Sequence, residues 1–312
     1  MKPIKADKSL YIKLGQGGKW EEECLKQNQT LRLGYQKIPH DLCLQGKWSE
    51  VRRFIKEEYN CSEGTATSHA NQIKSFYESG EDVLWVTFYG NGLWWCFSKP
   101  EITLLSDGTK LRSALNKWSC IDIKDRLLLT NNLSGKLLSM QGFQGTICTV
   151  SESSYLINKI NGIEPKELQE ARDALLTFEQ GLEAIIKRLH WRDFELLMDM
   201  IFRQAGWKRY SDVGSTLKTI DLDLISPITS ERYGVQVKSK ANPATFKSYQ
   251  KDRFKDMEGF TRFYFAVHTP SPDLEEASQK LENEDVKLLL PRNIARLSIE
   301  YGMAHWVMDK AQ

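Results

Sequence analysis

The alternation of apolar and polar positions divides the chain into two halves with different rhythms. In residues 1–150 the rhythm is mixed, with a strong period-two component. Ser9 to Leu14 (SLYIKL) reads as a short strand, and Trp20 to Asn28 opens with a charged helical pattern. Trp48 to Tyr59 (WSEVRRFIKEEY) sets Val51, Phe54, Ile55 and Tyr59 at helical spacing. Asp82 to Phe97 (DVLWVTFYGNGLWWCF) places two aromatic and β-branched runs on either side of Gly90-Asn91-Gly92, a strong hairpin signal. Further strand-like pieces lie at Ile102 to Leu105 and Gly145 to Val150.

Residues 151–189 have the pattern of a connector. Ile163-Glu164-Pro165 opens a helix, and Lys166 to Leu189 runs on with Gly181 as its main breaker. Such a helix either spaces two domains or packs on one of them. From His190 onward helices and strands alternate. Trp191 to Ala205 is amphipathic, with Phe194, Leu197, Met198, Ile201 and Phe202 on one face and Gly206 at its end. Strands are predicted at Thr219 to Ile225, Tyr233 to Lys238, Thr261 to His268 and Val286 to Leu290. Helices are predicted at Pro243 to Met257, at Leu274 to Leu281 and from Pro291. The order αββαβαβα predicts an α/β sandwich with a mixed sheet. The expected domains are therefore 1–150, α+β, and 190–312, α/β, joined by 151–189.

Length and composition agree with two domains of ordinary size, and a charged fraction of 27% with 41% hydrophobic residues describes a globular chain. No apolar run approaches the roughly 20 residues of a membrane span, and the charged start MKPIKADKSLYIKL has no apolar signal core. A cytoplasmic protein without membrane partners is expected. The six cysteines (Cys24, Cys43, Cys61, Cys96, Cys120, Cys148) form no CxxC pair, which favours reduced thiols over a zinc site. A net charge of +2 says little about partners, because positive charge can be local.

One segment carries a chemical pattern. In Ile220-Asp221-Leu222-Asp223-Leu224-Ile225 the strand period sends Ile220, Leu222 and Leu224 one way and Asp221 and Asp223 the other. After a turn over Ser226 to Arg232, Val235 and Val237 share one face and Gln236 and Lys238 the opposite one. If the two strands pair, their polar faces meet. An Asp carboxylate, a Gln oxygen and a backbone carbonyl form a hard oxygen set suited to Mg²⁺. A lysine beside them orients a water or offsets charge at a phosphate, the parts needed for metal-assisted phosphodiester hydrolysis. Downstream, Lys238, Lys240, Lys247, Lys251, Arg253 and Lys255 are opposed only by Asp252, a basic run able to hold phosphates.

These residues, DLDLI, a turn and VQVKSK, preceded by the helix DFELLMDMIFRQAGW, resemble the PD-(D/E)xK nucleases, and within them the Mrr-like restriction endonucleases with a QxK second motif. The resemblance spans roughly residues 190–300 and implies a restriction-endonuclease-like fold. It implies a metal-binding aspartate at Asp223 or Asp221, a metal ligand at Gln236, a catalytic lysine at Lys238 and a helix carboxylate at Glu195. Asp223 is preferred, because Leu224-Ile225 after it fit the usual apolar continuation. Gln in place of an acidic residue removes one charge from the metal site.

The first half would then supply the sequence reader. Asp82 to Val86 and the aromatic hairpin are similar to the strand pattern of PUA-like barrels, including the EVE group, families in which some members clasp a flipped, modified base between aromatic rings. Trp20, Trp85, Trp94, Trp95 and Trp118 are the candidate walls. The expectation is a Mg²⁺-dependent endonuclease of restriction or phage-defence type acting on double-stranded, base-modified DNA, as a homodimer if both strands are cut. The alternatives are a nucleic-acid-binding protein that has lost catalysis and an RNA-directed nuclease.

Overall fold

A computed structural model describes residues 2–210, 220–250, 259–281 and 286–310. The chain has an α/β fold with two mixed sheets, and it divides into compact units at Pro165–Lys166. The stretch read as a connector is shared between them, as described below.

The first unit contains β1 (Lys8–Ile12), β2 (Thr30–Leu33), α1 (His40–Leu44), α2 (Trp48–Glu58), α3 (Glu63–Glu78), β3 (Val83–Tyr89), β4 (Gly92–Leu104), β5 (Lys110–Ala114), α4 (Gly135–Leu138), β6 (Ile147–Thr149) and α5 (Ser153–Ile160). The six strands pair in the order β2-β5-β4-β3-β1-β6, with β1 and β3 parallel and the other pairs antiparallel. Pairing runs from edge to edge, without the ring closure of a barrel. The predicted hairpin forms because Gly90 and Asn91 both adopt positive φ, 58° and 61°, as a tight two-residue turn requires. The strand piece expected at Ile102 to Leu105 is the far end of the long β4, beyond an irregularity between Ser98 and Ile102. The helical pattern after Trp20 is realised as a π-helical turn over Glu23–Asn28.

Alternation in β3 and β4 feeds two separate cores. Trp85 and Cys96 pack with α2 and α3 residues such as Val51, Ile55, Ile73 and Phe76, while Leu84, Val86 and Trp95 pack with Leu137, Leu156 and Ile160. Leu156 and Ile160 belong to α5, so the start of the supposed connector is part of this unit's interior.

The second unit contains α6 (Lys166–Ile186), α7 (Trp191–Gln204), β7 (Lys208–Arg209), β8 (Leu222–Ile225), β9 (Arg232–Ala241), α8 (Pro243–Ser248), β10 (Arg262–Pro270), α9 (Pro272–Leu281), β11 (Val286–Leu289), α10 (Pro291–Glu300) and α11 (Ala304–Lys310). Its sheet has the order β11-β10-β9-β8-β7, parallel through β9 and antiparallel beyond it. The predicted alternation is present, with the two-residue β7 added. Thr219 and the second part of the helix expected over Pro243 to Met257 lie outside the described residues.

Leu182 and Ile186 of α6, with Phe194, Leu197, Met198, Ile201 and Phe202 of α7, cover one sheet face together with α10 and α11. Phe246, Tyr249 and Leu274 cover the other. Each fully buried side chain of this size contributes roughly 1.5–3 kcal/mol, so α7 is fixed to the sheet by its apolar stripe. Asn242 accepts from Thr245 N–H at 2.9 Å and Pro243 opens α8, which turns the chain sharply after β9. Among the described residues no helix is long and apolar enough to cross a membrane.

Candidate active site

The hairpin register decides which polar side chains meet. Leu222 lies opposite Val235 and Asp223 opposite Gly234. Asp221, one residue before β8, donates its N–H to Val235 O at 2.9 Å, which brings it beside Gln236. Its Oδ2 accepts from the Gln236 amide, and from Val237 N–H at 2.6 Å. Ile220 leaves the face expected for it: it packs with Phe263 and Phe246, while Leu222 and Leu224 join the opposite core. Strand alternation begins only at Leu222, so period two does not extend back to residues 220 and 221.

Gly234 makes this packing feasible, because a Cβ there would run into the Phe263 ring on β10. Gln236 is 3% exposed, and its Oε1 is buried without a hydrogen-bond partner. An unpaired buried carbonyl oxygen costs about 1–3 kcal/mol, so Gln236 Oε1 is available to a donor or a cation.

Glu195, half-buried on α7, faces the same cluster. Burial pushes its carboxyl upward, the Asp221 carboxylate pushes in the same direction, and Arg192 and Lys238 act against both. Glu195, Asp221, Gln236 and Lys238 therefore share one electrostatic neighbourhood. Lys238 pairs in register with Val267 of β10 and is partly exposed, so the cluster has one open side.

Asp223 goes elsewhere. It is 5% exposed and accepts from Arg232 Nε at 2.8 Å and from the second guanidinium nitrogen as well. Arg232 lies 4.7 Å from the Tyr210 ring centroid and 4.3 Å from that of Phe260, so its cation is stacked as well as paired. Asp223, the aspartate preferred as metal ligand, is thus paired with Arg232, whereas Asp221 meets Gln236. The sequence reading missed Arg232 as that counter-ion. The signal was there in principle, since a short hairpin sets Asp223 near Arg232, but pairing register cannot be fixed without the turn's geometry.

The chemistry of the donor set fits a hard divalent cation. Asp221, Glu195 and Gln236 Oε1 offer oxygen atoms only, and a cation would relieve the mutual repulsion of the two carboxylates. Among the described residues no three His, Cys, Asp or Glu side chains gather, so a cation here needs Gln236 as its third side chain.

Lys240 and Lys247 are exposed on β9 and α8, while Lys251 and Arg253 lie outside the described residues. The tryptophan pocket does not form as expected. Trp85, Trp95 and Trp118 are 0%, 1% and 5% exposed, and Trp85 and Trp95 belong to different cores. Trp95 donates to Ile121 O at 2.8 Å and Trp118 to Thr30 O at 3.0 Å, as core tryptophans do. Trp20 and Trp94 are partly buried; Trp20 is held by Lys19 and Arg32, 4.4 and 4.5 Å from its ring. The aromatic richness that suggested a pocket is the interior of a two-core unit. All six cysteines are free.

No family model matches the chain, and no curated protein matches it. Among solved structures, the chain is similar to the DNA modification-dependent restriction endonuclease AspBHI. The identity is 11%, over 91% of this chain and 80% of that chain, with a TM-score of 0.28.

Proposed function

We propose that the second unit is a metal-dependent nuclease that hydrolyses phosphodiester bonds of DNA, in the manner of a restriction or phage-defence endonuclease. The observation that carries this reading is the hydrogen-bonded pair Asp221–Gln236 at the edge of one hairpin, beside a buried Gln236 oxygen with no partner and within electrostatic reach of Glu195 on α7, which Asp221 and Lys238 both influence. Asp221, Gln236 and Glu195 would hold a Mg²⁺ ion, which when bound supplies Lewis-acid polarisation of the phosphate and a more acidic water.

The remaining roles belong to the chain itself. Lys238, on the open side of the cluster, orients the attacking water and offsets charge on the scissile phosphate. Val237 N–H and the Gln236 amide fix the Asp221 carboxylate, so its direction is set before substrate arrives. Lys240 and Lys247 are exposed cations suited to flanking phosphates. Among the described residues Trp85, Trp95 and Trp118 are core side chains, and the proposal concerns cleavage.

The test is incubation of the purified chain with Mg²⁺ and duplex DNA, unmodified and carrying methylated or hydroxymethylated cytosine, with Lys238→Ala as control. Cleavage that disappears in the variant and on chelation supports the reading. Binding of DNA without cleavage, and without metal uptake by calorimetry, would replace it with a catalytically inactive DNA-binding protein.

A further inference from the structure

The first turn of α7 carries an aromatic ring and a cation that the proposed chemistry leaves unused. Of the nine tryptophans, all of them described, Trp191 alone is exposed, at 45%; the others are buried or half-buried. Arg192 is exposed too, and its guanidinium lies over this indole, 5.1 Å from the ring centroid. The His190 ring stands 5.5 Å from the same indole. His190 Nδ1 also accepts from Arg192 N–H at 3.3 Å, which caps the helix and fixes the backbone from which Arg192 departs.

Helix geometry sets what stands next to this pair. Residues three and four apart are neighbours on a helix surface, so Arg192 and Trp191 lie one turn before Glu195. Phe194, Leu197 and Met198 are buried against the sheet, which holds this turn in place. At a spacing of three Arg192 has the reach to pair with Glu195, yet it forms no ion pair among the described residues and stacks on the indole instead. Its field still reaches the Glu195 carboxyl, as do those of Asp221 and Lys238. The indole therefore keeps a guanidinium beside the cluster without letting it neutralise the carboxylate. A stacked guanidinium retains a planar fork of N–H donors, which matches two oxygens of a phosphate.

We propose, on the nuclease reading, that Arg192 binds a backbone phosphate of the DNA beside the candidate active site, and that Trp191 is the positioning residue that holds its guanidinium off Glu195. The contact from α7 adds to those offered by Lys240 on β9 and Lys247 on α8.

Fluorescence anisotropy of a labelled duplex, with EDTA in place of Mg²⁺, reads this contact apart from cleavage. Backbone contacts carry no sequence information, so any short duplex serves. Arg192→Ala should weaken binding about 10-fold near about 50 mM salt and lower the slope of log affinity against log salt by about 1. Arg192→Lys keeps the charge and should restore the slope with only part of the affinity. Trp191→Ala should lower the slope as Arg192→Ala does, because the released guanidinium turns to Glu195. Adding Glu195→Gln to Trp191→Ala removes that competitor and should bring the slope back, a rescue that a merely structural tryptophan would not give. Arg192→Ala with wild-type affinity and slope overturns the phosphate contact and leaves cleavage, tested by Lys238→Ala, as it stands. Trp191→Ala with a wild-type slope overturns the positioning role. A wild-type chain that binds no duplex overturns the proposal together with the nuclease reading.

Discussion

Asp221 and Asp223 are two residues apart at the start of one hairpin, and their surroundings are opposite. Around Asp223 every charge is answered: the guanidinium of Arg232 meets both carboxylate oxygens and is itself held between Tyr210 and Phe260. Around Asp221 the count is left open. Its partners are a neutral amide and a backbone N–H, its carboxylate helps push the Glu195 carboxyl upward, and Gln236 Oε1 beside it has no partner. A satisfied buried pair stabilises a fold; a cluster with an unpartnered buried oxygen and an open side can accept a further group.

The largest test of that contrast is removal of the open site. Lys238→Ala should lower cleavage by at least about 100-fold with little change in melting temperature, since such groups act on charge developing in the reaction. Asp221→Ala should lower it as far and also cost about 1–3 kcal/mol of stability, because the Gln236 amide and Val237 N–H lose their acceptor. Asp223→Ala should do the reverse. Leaving Arg232 without its counter-ion costs about 2–3 kcal/mol of stability, read by denaturant titration, while the cleavage rate per folded molecule stays close to wild type. An Asp223 variant that folds normally and cannot cut would restore it as the metal ligand.

A finer test changes the charge of the third ligand. Gln236→Glu replaces the amide that donates to Asp221 with a third carboxylate. Without metal the variant should lose about 1–2 kcal/mol through repulsion in a buried place, and calorimetry should show Mg²⁺ binding about 10-fold tighter, because ligand charge tunes affinity. Equal metal affinity in the two proteins would remove Gln236 from the ligand set.

How much of this was legible beforehand depended on the range of the interaction. The amphipathic stripe of α7 and the apolar faces of β9 and β10 are local patterns, and they predicted element and burial together. The helix α3 was missed, because its apolar residues, Ala66, Ala70, Ile73 and Phe76, are diluted by small and polar ones in EGTATSHANQIKSFYE. The identity of the two aspartates was legible, but the difference in their surroundings was not. That difference depends on strand register, set by a turn in which Ser226 N–H and Ser230 N–H close backbone hydrogen bonds. The five tryptophans failed for a related reason: composition shows that aromatic rings are abundant, and only pairing of β3 with β4 shows that Trp85 and Trp95 point into different cores.

The smallest effect sharpens the comparison from the interior side of the same unit. His268 on β10 is buried, with its ring edge-on to Phe194 at 5.0 Å and Nδ1 at 2.7 Å from the Thr269 hydroxyl. Burial holds its folded pKa below the ordinary 6.5, outweighing the carbonyls of Leu189 and Ile186, which favour the proton. As pH falls through that ordinary value the unfolded chain takes up the proton first, so folding stability declines with acidification and levels off below the folded pKa. His40 in the first unit is lowered in the same direction, by burial and by Lys110, and contributes to the same window. Asp107, Asp122 and Glu231, lowered by their hydrogen bonds, lose their contribution only at more acidic pH, below their ordinary values of 3.8 and 4.5. Urea titrations between pH 5 and pH 8 should therefore show a positive slope of stability against pH that His268→Gln reduces without abolishing. An unchanged slope would mean that the His268 ring is as easily protonated inside the unit as in the unfolded chain, and that this interior is as open to water as the Asp221 cluster.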